Sequence, residues 1–258
     1  MPWLAFVGLG LKLKHLTLEA IEVLKESDIV FLDSYTSIGE DISAKTLSSF
    51  LNKQVVPVSR KDIEDENGKI IFDALSRGLN VSLAVIGDPF IATTHIALLL
   101  QAIEKGFEVR IVHGISIYSA AISCSGLMSY KFGKSATIVY PKEGVVYEYF
   151  YDVIKENKER GLHTLLLLDL DAEKGIFMKA NEALALLIEI ENRRKERAIS
   201  EKEKILVIAR ASQRDQKCVY GTISELLSKD FGSPPHVIIV PGKLHFIEEE
   251  ALRRFATK

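Results

Sequence analysis

Short, almost wholly apolar runs alternate along this chain with longer stretches of helical period. The clearest run is Val81–Ile86, which stops at Gly87-Asp88-Pro89; two threonines then lead into the amphipathic segment Ile96–Lys105. A strand that is apolar on both faces belongs to a sheet covered by helices on both sides. In the first half the pattern predicts strands at Leu4–Val7, Ile29–Leu32, Gln54–Val58, Val81–Ile86 and Glu108–Val112. Helices are predicted between them at Thr17–Glu26, Lys69–Arg77 and Thr94–Lys105. Thr17 suits an N-cap, with Leu18, Ile21 and Leu24 sharing the face that follows it. Gly78 and Gly106 stand where helix-ending glycines belong.

A second series follows His113-Gly114. Its strands are predicted at Ala136–Tyr140, Thr164–Asp169, Ile205–Ala209 and His236–Val240. Its helices are predicted at Tyr118–Leu127, Tyr147–Glu159, Lys179–Arg194, Ile223–Lys229 and Phe246–Phe255. The alternation gives an α/β fold class. Two series in 258 residues imply two α/β domains, 1–112 and 113–258.

Composition narrows the function classes. Apolar residues make up 47% and charged residues 26%, which is ordinary globular usage and enough for a core without disulfides. Cys124 and Cys218 lack a C-x-x-C partner or a nearby histidine, so no metal site and a reducing compartment are expected. A net charge of −2 lacks the basic footprint of a nucleic-acid binder. Arg and Lys in Glu191–Lys204 are interleaved with Glu, as on a solvated helix end. No apolar run approaches the ~20 residues that span a bilayer. Met1-Pro2-Trp3-Leu4 lacks the basic region of a signal peptide. A cytoplasmic protein without a membrane partner is the expectation.

Several local motifs fall short of the chemistry they suggest. Gly8-Leu9-Gly10-Leu11 follows a strand as a dinucleotide turn does, and Asp33 ends the second strand, but Leu13 occupies the third glycine position. Lys131–Ser135 matches the tail of a P-loop, yet Met128 replaces its first glycine. Gly114-Ile115-Ser116-Ile117-Tyr118 lacks the closing glycine of a nucleophile elbow, which leaves Ser116 as a hydrogen-bonding group or a cap. No two of the six histidines have i, i+4 spacing. His236 stands out because it opens a strand after Pro234-Pro235, whereas Thr93-Thr94-His95 reads as a helix N-terminus. Asp88, fixed between Gly87 and Pro89, sits just past a strand end, where parallel sheets bind small molecules.

These segments together resemble the diphthine synthase family, archaeal type, within the tetrapyrrole-methylase-like S-adenosylmethionine enzymes. Gly8–Leu11 and Gly87-Asp88-Pro89 match the wider family. Tyr35-Thr36-Ser37, Ala92–His95, Ser116–Ser119, Tyr130–Ser135, Tyr151–Asn157, Gly161–Leu166, Asp230–His236 and Val240–His245 match more specifically, so the likeness spans nearly the whole chain. The resemblance implies a tetrapyrrole methylase-like fold of two α/β domains, with mixed or mostly parallel sheets and S-adenosylmethionine in the cleft between them. It further implies a homodimer that N-methylates the 3-amino-3-carboxypropyl-histidine intermediate of translation elongation factor 2 during diphthamide biosynthesis. Carried over by position, the cofactor contacts are Leu11, Asp88, Ile91, Ser116, Ile117, Leu168, Ala211 and His236. No catalytic acid or base is assigned. One departure concerns Lys12-Leu13-Lys14-His15, which stands where the family carries acidic residues. A precorrin-type tetrapyrrole methylase and a non-catalytic S-adenosylmethionine-binding module remain the alternative readings.

Overall fold

The computed structural model describes residues 1–256, which fall into two compact units. One comprises Met1–Ile117 with Asp171–Ile176; the other comprises Tyr118–Leu170 and the chain from Phe177 onward. The first unit is built on β1 (Trp3–Gly8), β2 (Ile29–Asp33), β3 (Val55–Val58), β4 (Val81–Val85) and β5 (Glu108–Val112). They form one wholly parallel sheet in the order β3-β2-β4-β1-β5. Every residue of β1 and β4 is buried, because Leu4 and Phe6 pack into a core on one face while Trp3, Ala5 and Val7 pack into a core on the other. That explains the unbroken apolar runs.

The covering helices are α1 (Leu18–Glu26), α2 (Ala44–Leu51), α3 (Lys69–Ser76) and α4 (Ile96–Glu104). Thr17 caps α1 by accepting from the Ala20 amide at 3.0 Å. Leu18, expected on the buried face, is instead 80% exposed, and Ala20 and Leu24 carry that face. Gly78 and Gly106 close α3 and α4 with φ of +84° and +79°, a region costly for other residues. Helix α2 was not anticipated. It begins at a reciprocal Ser43–Thr46 capping box whose third residue is Thr rather than the usual Glu or Gln.

Helix α5 (Ile117–Ser125) follows β5. The second unit carries β6 (Ala136–Ile138), β7 (Thr164–Leu168), β10 (Lys204–Ala209), β11 (Lys217–Thr222) and β12 (His236–Val240), while the short hairpin β8 (Leu170–Asp171) and β9 (Ile176–Phe177) brackets the segment Asp171–Ile176 that belongs to the first unit. Its main sheet runs β11-β10-β12-β7-β6 and is mixed: β6–β7 is parallel and the other pairs are antiparallel. Helices α6 (Tyr149–Glu159), α7 (Ala180–Arg194), α8 (Ile223–Leu227) and α9 (Phe246–Arg253) complete the unit. The α/β class with parallel and mixed sheets is therefore as expected. Arg194 pairs with Asp152 at 2.6 Å and Glu196 at 2.9 Å, so this basic stretch is neutralised within its own unit. Among the described residues no helix is long and apolar enough to cross a membrane.

Candidate functional site

Three loops meet at the carboxyl edge of the parallel sheet, one after each of β1, β4 and β5. The Gly10 amide donates to the Gly87 carbonyl at 3.1 Å, and the Gly87 amide donates back at 2.9 Å. A Cβ on Gly8 would lie 2.4 Å from the Gly114 nitrogen, and one on Gly114 would lie 2.1 Å from the Gly87 oxygen. Only glycine lets these backbones approach so closely. Asp88 braces the cradle. Its Oδ1 accepts from the Phe90 amide at 3.1 Å, and its Oδ2 accepts from the Gly114 amide at 3.3 Å and meets His113 Nδ1 at 3.1 Å. Its oxygens are held by the loops after β4 and β5, so it serves as a strut.

The Lys12–His15 departure keeps the turn by other means. Leu13–His15 forms one turn of 3-10 helix, Leu13 N donates to Asp41 Oδ1 at 2.9 Å, and Leu11 N donates to His15 Nδ1 at 3.3 Å. Burial, then the Lys12 charge, push the His15 pKa below its ordinary value, which keeps that ring nitrogen an acceptor.

Of the carried-over positions, Leu11, Asp88, Ile91, Ser116 and Ile117 lie on the loops and helix start that leave β1, β4 and β5. Ile91 is 38% exposed and Ser116 is buried. In the second unit Leu168 ends β7, His236 opens β12, and Ala211 lies two residues past β10. Val237 faces Leu167 and Ala209 faces His236, so these three share one edge of the mixed sheet. His236 Nδ1 accepts from the Ala180 amide at 3.2 Å while Nε2 lies 3.1 Å from the Ser233 carbonyl, to which it donates. Burial first, then the nearby Arg210 and Lys179 charges, lower its pKa. The ring is neutral and both nitrogens are engaged inside its unit.

Residues 4–227 match the family model of tetrapyrrole (corrin/porphyrin) methylases. This chain belongs to the tetrapyrrole methylase family. Within it, the chain is 44% identical over 255 residues to a diphthine synthase of Saccharolobus solfataricus, covering 98% of each. It is 44% identical to that of Methanocaldococcus jannaschii, covering 97% of each. A solved structure of a diphthine synthase superposes with a TM-score of 0.87 at 36% identity, over 98% of this chain and 96% of the other. The chain is thus a methyltransferase of the diphthine synthase group, which acts in diphthamide biosynthesis.

The residue-level reading missed two buried pairs in this tetrapyrrole methylase. Asp33, at the end of β2, accepts from the amides of Tyr35 and Thr36 at 3.0 and 3.1 Å and from Thr36 Oγ1 at 2.5 Å. Its Oδ2 lies 3.2 Å from His95 Nε2, within ion-pair distance, yet too bent for an aligned hydrogen bond. Burial raises the Asp33 pKa, but His95, Thr36 and the Tyr35 amide outweigh it and the net shift is downward. In the second unit Glu248 accepts from His163 Nε2 and the Met128 amide at 2.9 Å each, from the His245 amide at 2.8 Å, and from Lys131 Nζ. Burial is again outweighed, by Lys131 and then the amides and His163, which hold Glu248 at about 2. Sixty-two residues separate Asp33 from His95, and only the adjacency of β2 and β4 brings them together.

Proposed function

We propose that this methyltransferase takes its methyl group from S-adenosylmethionine and N-methylates the 3-amino-3-carboxypropyl-histidine intermediate of translation elongation factor 2. The reading places it in the cytoplasm as a homodimer. It is carried by the end-to-end likeness to proteins named diphthine synthase, at 44% identity over 98% of both chains.

The residues present fit such a donor. Gly8 and Gly114 pack main chain on main chain too closely for any side chain, which fixes the loops at the carboxyl edge of the parallel sheet, and Ile91 on one of those loops offers a partly exposed aliphatic side chain. Leu11, Asp88, Ile91, Ser116 and Ile117 of the first unit, with Leu168, Ala211 and His236 of the second, are the residues assigned to hold the donor. When bound, the donor supplies a methyl group already activated by its sulfonium. The protein's task is then orientation, worth on the order of 7–11 kcal/mol at the well-aligned limit. The acceptor amine must be neutral to attack, and desolvation around it lowers its pKa in that direction. Asp88 keeps the loops after β4 and β5 in register through Phe90, His113 and Gly114. No side chain is assigned to move a proton. Support for the dimer comes from α4, whose outward residues Ile96, Leu100 and Ile103 are each more than half exposed. An aliphatic stripe of this kind is what association buries.

The test is to incubate the protein with S-adenosylmethionine and elongation factor bearing the intermediate, and to read the factor's intact mass. Successive methyl increments support the assignment and count the transfers. No increment, with donor binding established separately, overturns it.

A further inference from the structure

The carbonyl of Pro89 fixes one ring proton of His95. That oxygen accepts from Thr93 Oγ1 at 2.6 Å and lies 3.0 Å from His95 Nδ1. A carbonyl has no hydrogen to give, so Nδ1 carries the proton. Nε2 then bears either a lone pair or a second proton, and it faces Asp33 Oδ2 at 3.2 Å with neither side chain exposed to water. A lone pair pressed against a buried carboxylate is repulsive, whereas a second proton makes an ion pair. Among the described residues no Lys or Arg forms a salt bridge with Asp33, and His95 is the basic side chain within ion-pair distance of it. A second carboxylate nearby, Glu64, accepts from Tyr35 Oη and Thr94 Oγ1 and pairs with Arg60 at 2.8 Å, so its charge is met without His95.

The pair is anchored to the loop that leaves β4. His95 and Thr93 both converge on Pro89, and between them Ala92 holds a left-handed φ of +58°. That conformation is strained for alanine and persists only where the surroundings fix it. Ile91 precedes Ala92, and its amide donates to the Asp88 carbonyl at 3.3 Å.

We propose that Asp33 and His95 are positioning residues: a buried aspartate–imidazolium pair that clamps the strained loop 87–95 in the form that presents Asp88 and Ile91 to the methyl donor. This rests on the proposed function for the donor site, whereas the charge state of the pair does not. Releasing the clamp lowers the fraction of molecules with a competent loop. A competent fraction of about one tenth raises the apparent donor Kd about tenfold.

Two measurements test it. Nitrogen-15 spectra of the unaltered protein labelled on histidine, with the ring assigned through bonds from the His95 backbone, are expected to show both nitrogens protonated at neutral pH. A lone-pair nitrogen in that ring overturns the ion pair, and this readout needs no variant to fold. Calorimetry with S-adenosylmethionine is expected to show Kd raised about tenfold in Asp33→Asn and in His95→Gln, with kcat at saturating donor within about threefold. The neutral double variant Asp33→Asn/His95→Gln is expected to bind better than either single variant, because it buries no unpaired charge. Leu75→Ala, on the buried face of α3, controls for general destabilisation and is expected to lower Tm without changing Kd. Wild-type Kd in both single variants, or an equal rise in Leu75→Ala, overturns the clamp. An unaltered protein that binds no donor overturns the functional reading instead.

Discussion

Two buried carboxylates in this methyltransferase each face a histidine, and the two pairs differ in what lies on the far side of the ring. At Glu248 the Gly242 amide donates to His163 Nδ1 at 2.9 Å, so that nitrogen keeps its lone pair and Nε2 carries the only hydrogen. The ring is neutral, and Lys131 supplies the positive charge that Glu248 requires. At Asp33 the far nitrogen meets a carbonyl instead, and among the described residues no Lys or Arg pairs with the carboxylate, so in the proposed clamp the counter-ion is His95 itself. A single backbone group, amide or carbonyl, thus decides whether a buried histidine is a spacer or a counter-ion. The surroundings differ as well. His163 and Glu248 gather the segments Tyr130–Ser135, Gly161–Leu166 and Val240–His245 at the amino end of β7, the edge of the mixed sheet opposite His236. The Asp33 pair lies at the carboxyl edge of the parallel sheet, beside the glycine cradle.

The contrast can be broken at several points. The largest expected effect is Glu248→Ala, which strands four donors and is expected to lower the unfolding free energy by about 4–5 kcal/mol in denaturant titrations. His95→Gln leaves Asp33 without its counter-ion and is expected to cost about 3 kcal/mol. Asp88→Asn turns one acceptor oxygen into a donor that faces the Gly114 amide. It is expected to weaken donor binding by about tenfold, or about 1.4 kcal/mol, by calorimetry; unchanged affinity would remove Asp88 from the site. His163→Gln is expected to cost only about 1 kcal/mol, because a primary amide can accept from Gly242 and donate to Glu248. Equal costs for His95→Gln and His163→Gln would erase the distinction between the pairs.

Acid titration sharpens the comparison further. Burial lowers the folded pKa of His163 below its ordinary 6.5, so below that pH the unfolded chain binds the extra proton first. Stability therefore falls as pH drops through the window below 6.5, and His163→Gln should flatten part of that slope. His236 and His15 shift in the same direction, so some slope remains. The Glu248 contribution is intact above about 4.5 and is lost as pH falls from there toward about 2. Denaturant unfolding measured from pH 7 down to pH 3 reads both windows.

Much of the fold was legible because it is written locally. Strands buried on both faces announce themselves as unbroken apolar runs, and β5 and β12 occupy their expected spans. Strand β11 escaped because it is an edge strand, half exposed and interrupted by Gly221. The antiparallel pairing of β7, β12 and β10 was not legible either, since a four- or five-residue apolar run carries no sign of its neighbour's direction. The same division holds at the site. Glycine spacing and a flanked aspartate marked the loops after β1 and β4. Thr93-Thr94-His95 does form the entry to α4, yet His95 makes no side-chain cap there and turns to Asp33 instead. That partnership depends on strand order, which no local pattern encodes.

The floor formed by Gly8, Gly87 and Gly114 is made of main chain alone, and this constrains its history. Substitution alters side chains, but here the smallest possible step, one methyl added at Gly8 or Gly114, would collide with backbone at 2.1–2.4 Å, and at Gly87 it would meet a left-handed φ of +89°. Such a floor cannot drift by gradual change; it is inherited whole or lost with the fold. Novelty in acceptor choice must therefore arise at the rim, where loops such as Leu11–His15 can exchange one set of braces for another and leave the platform unchanged.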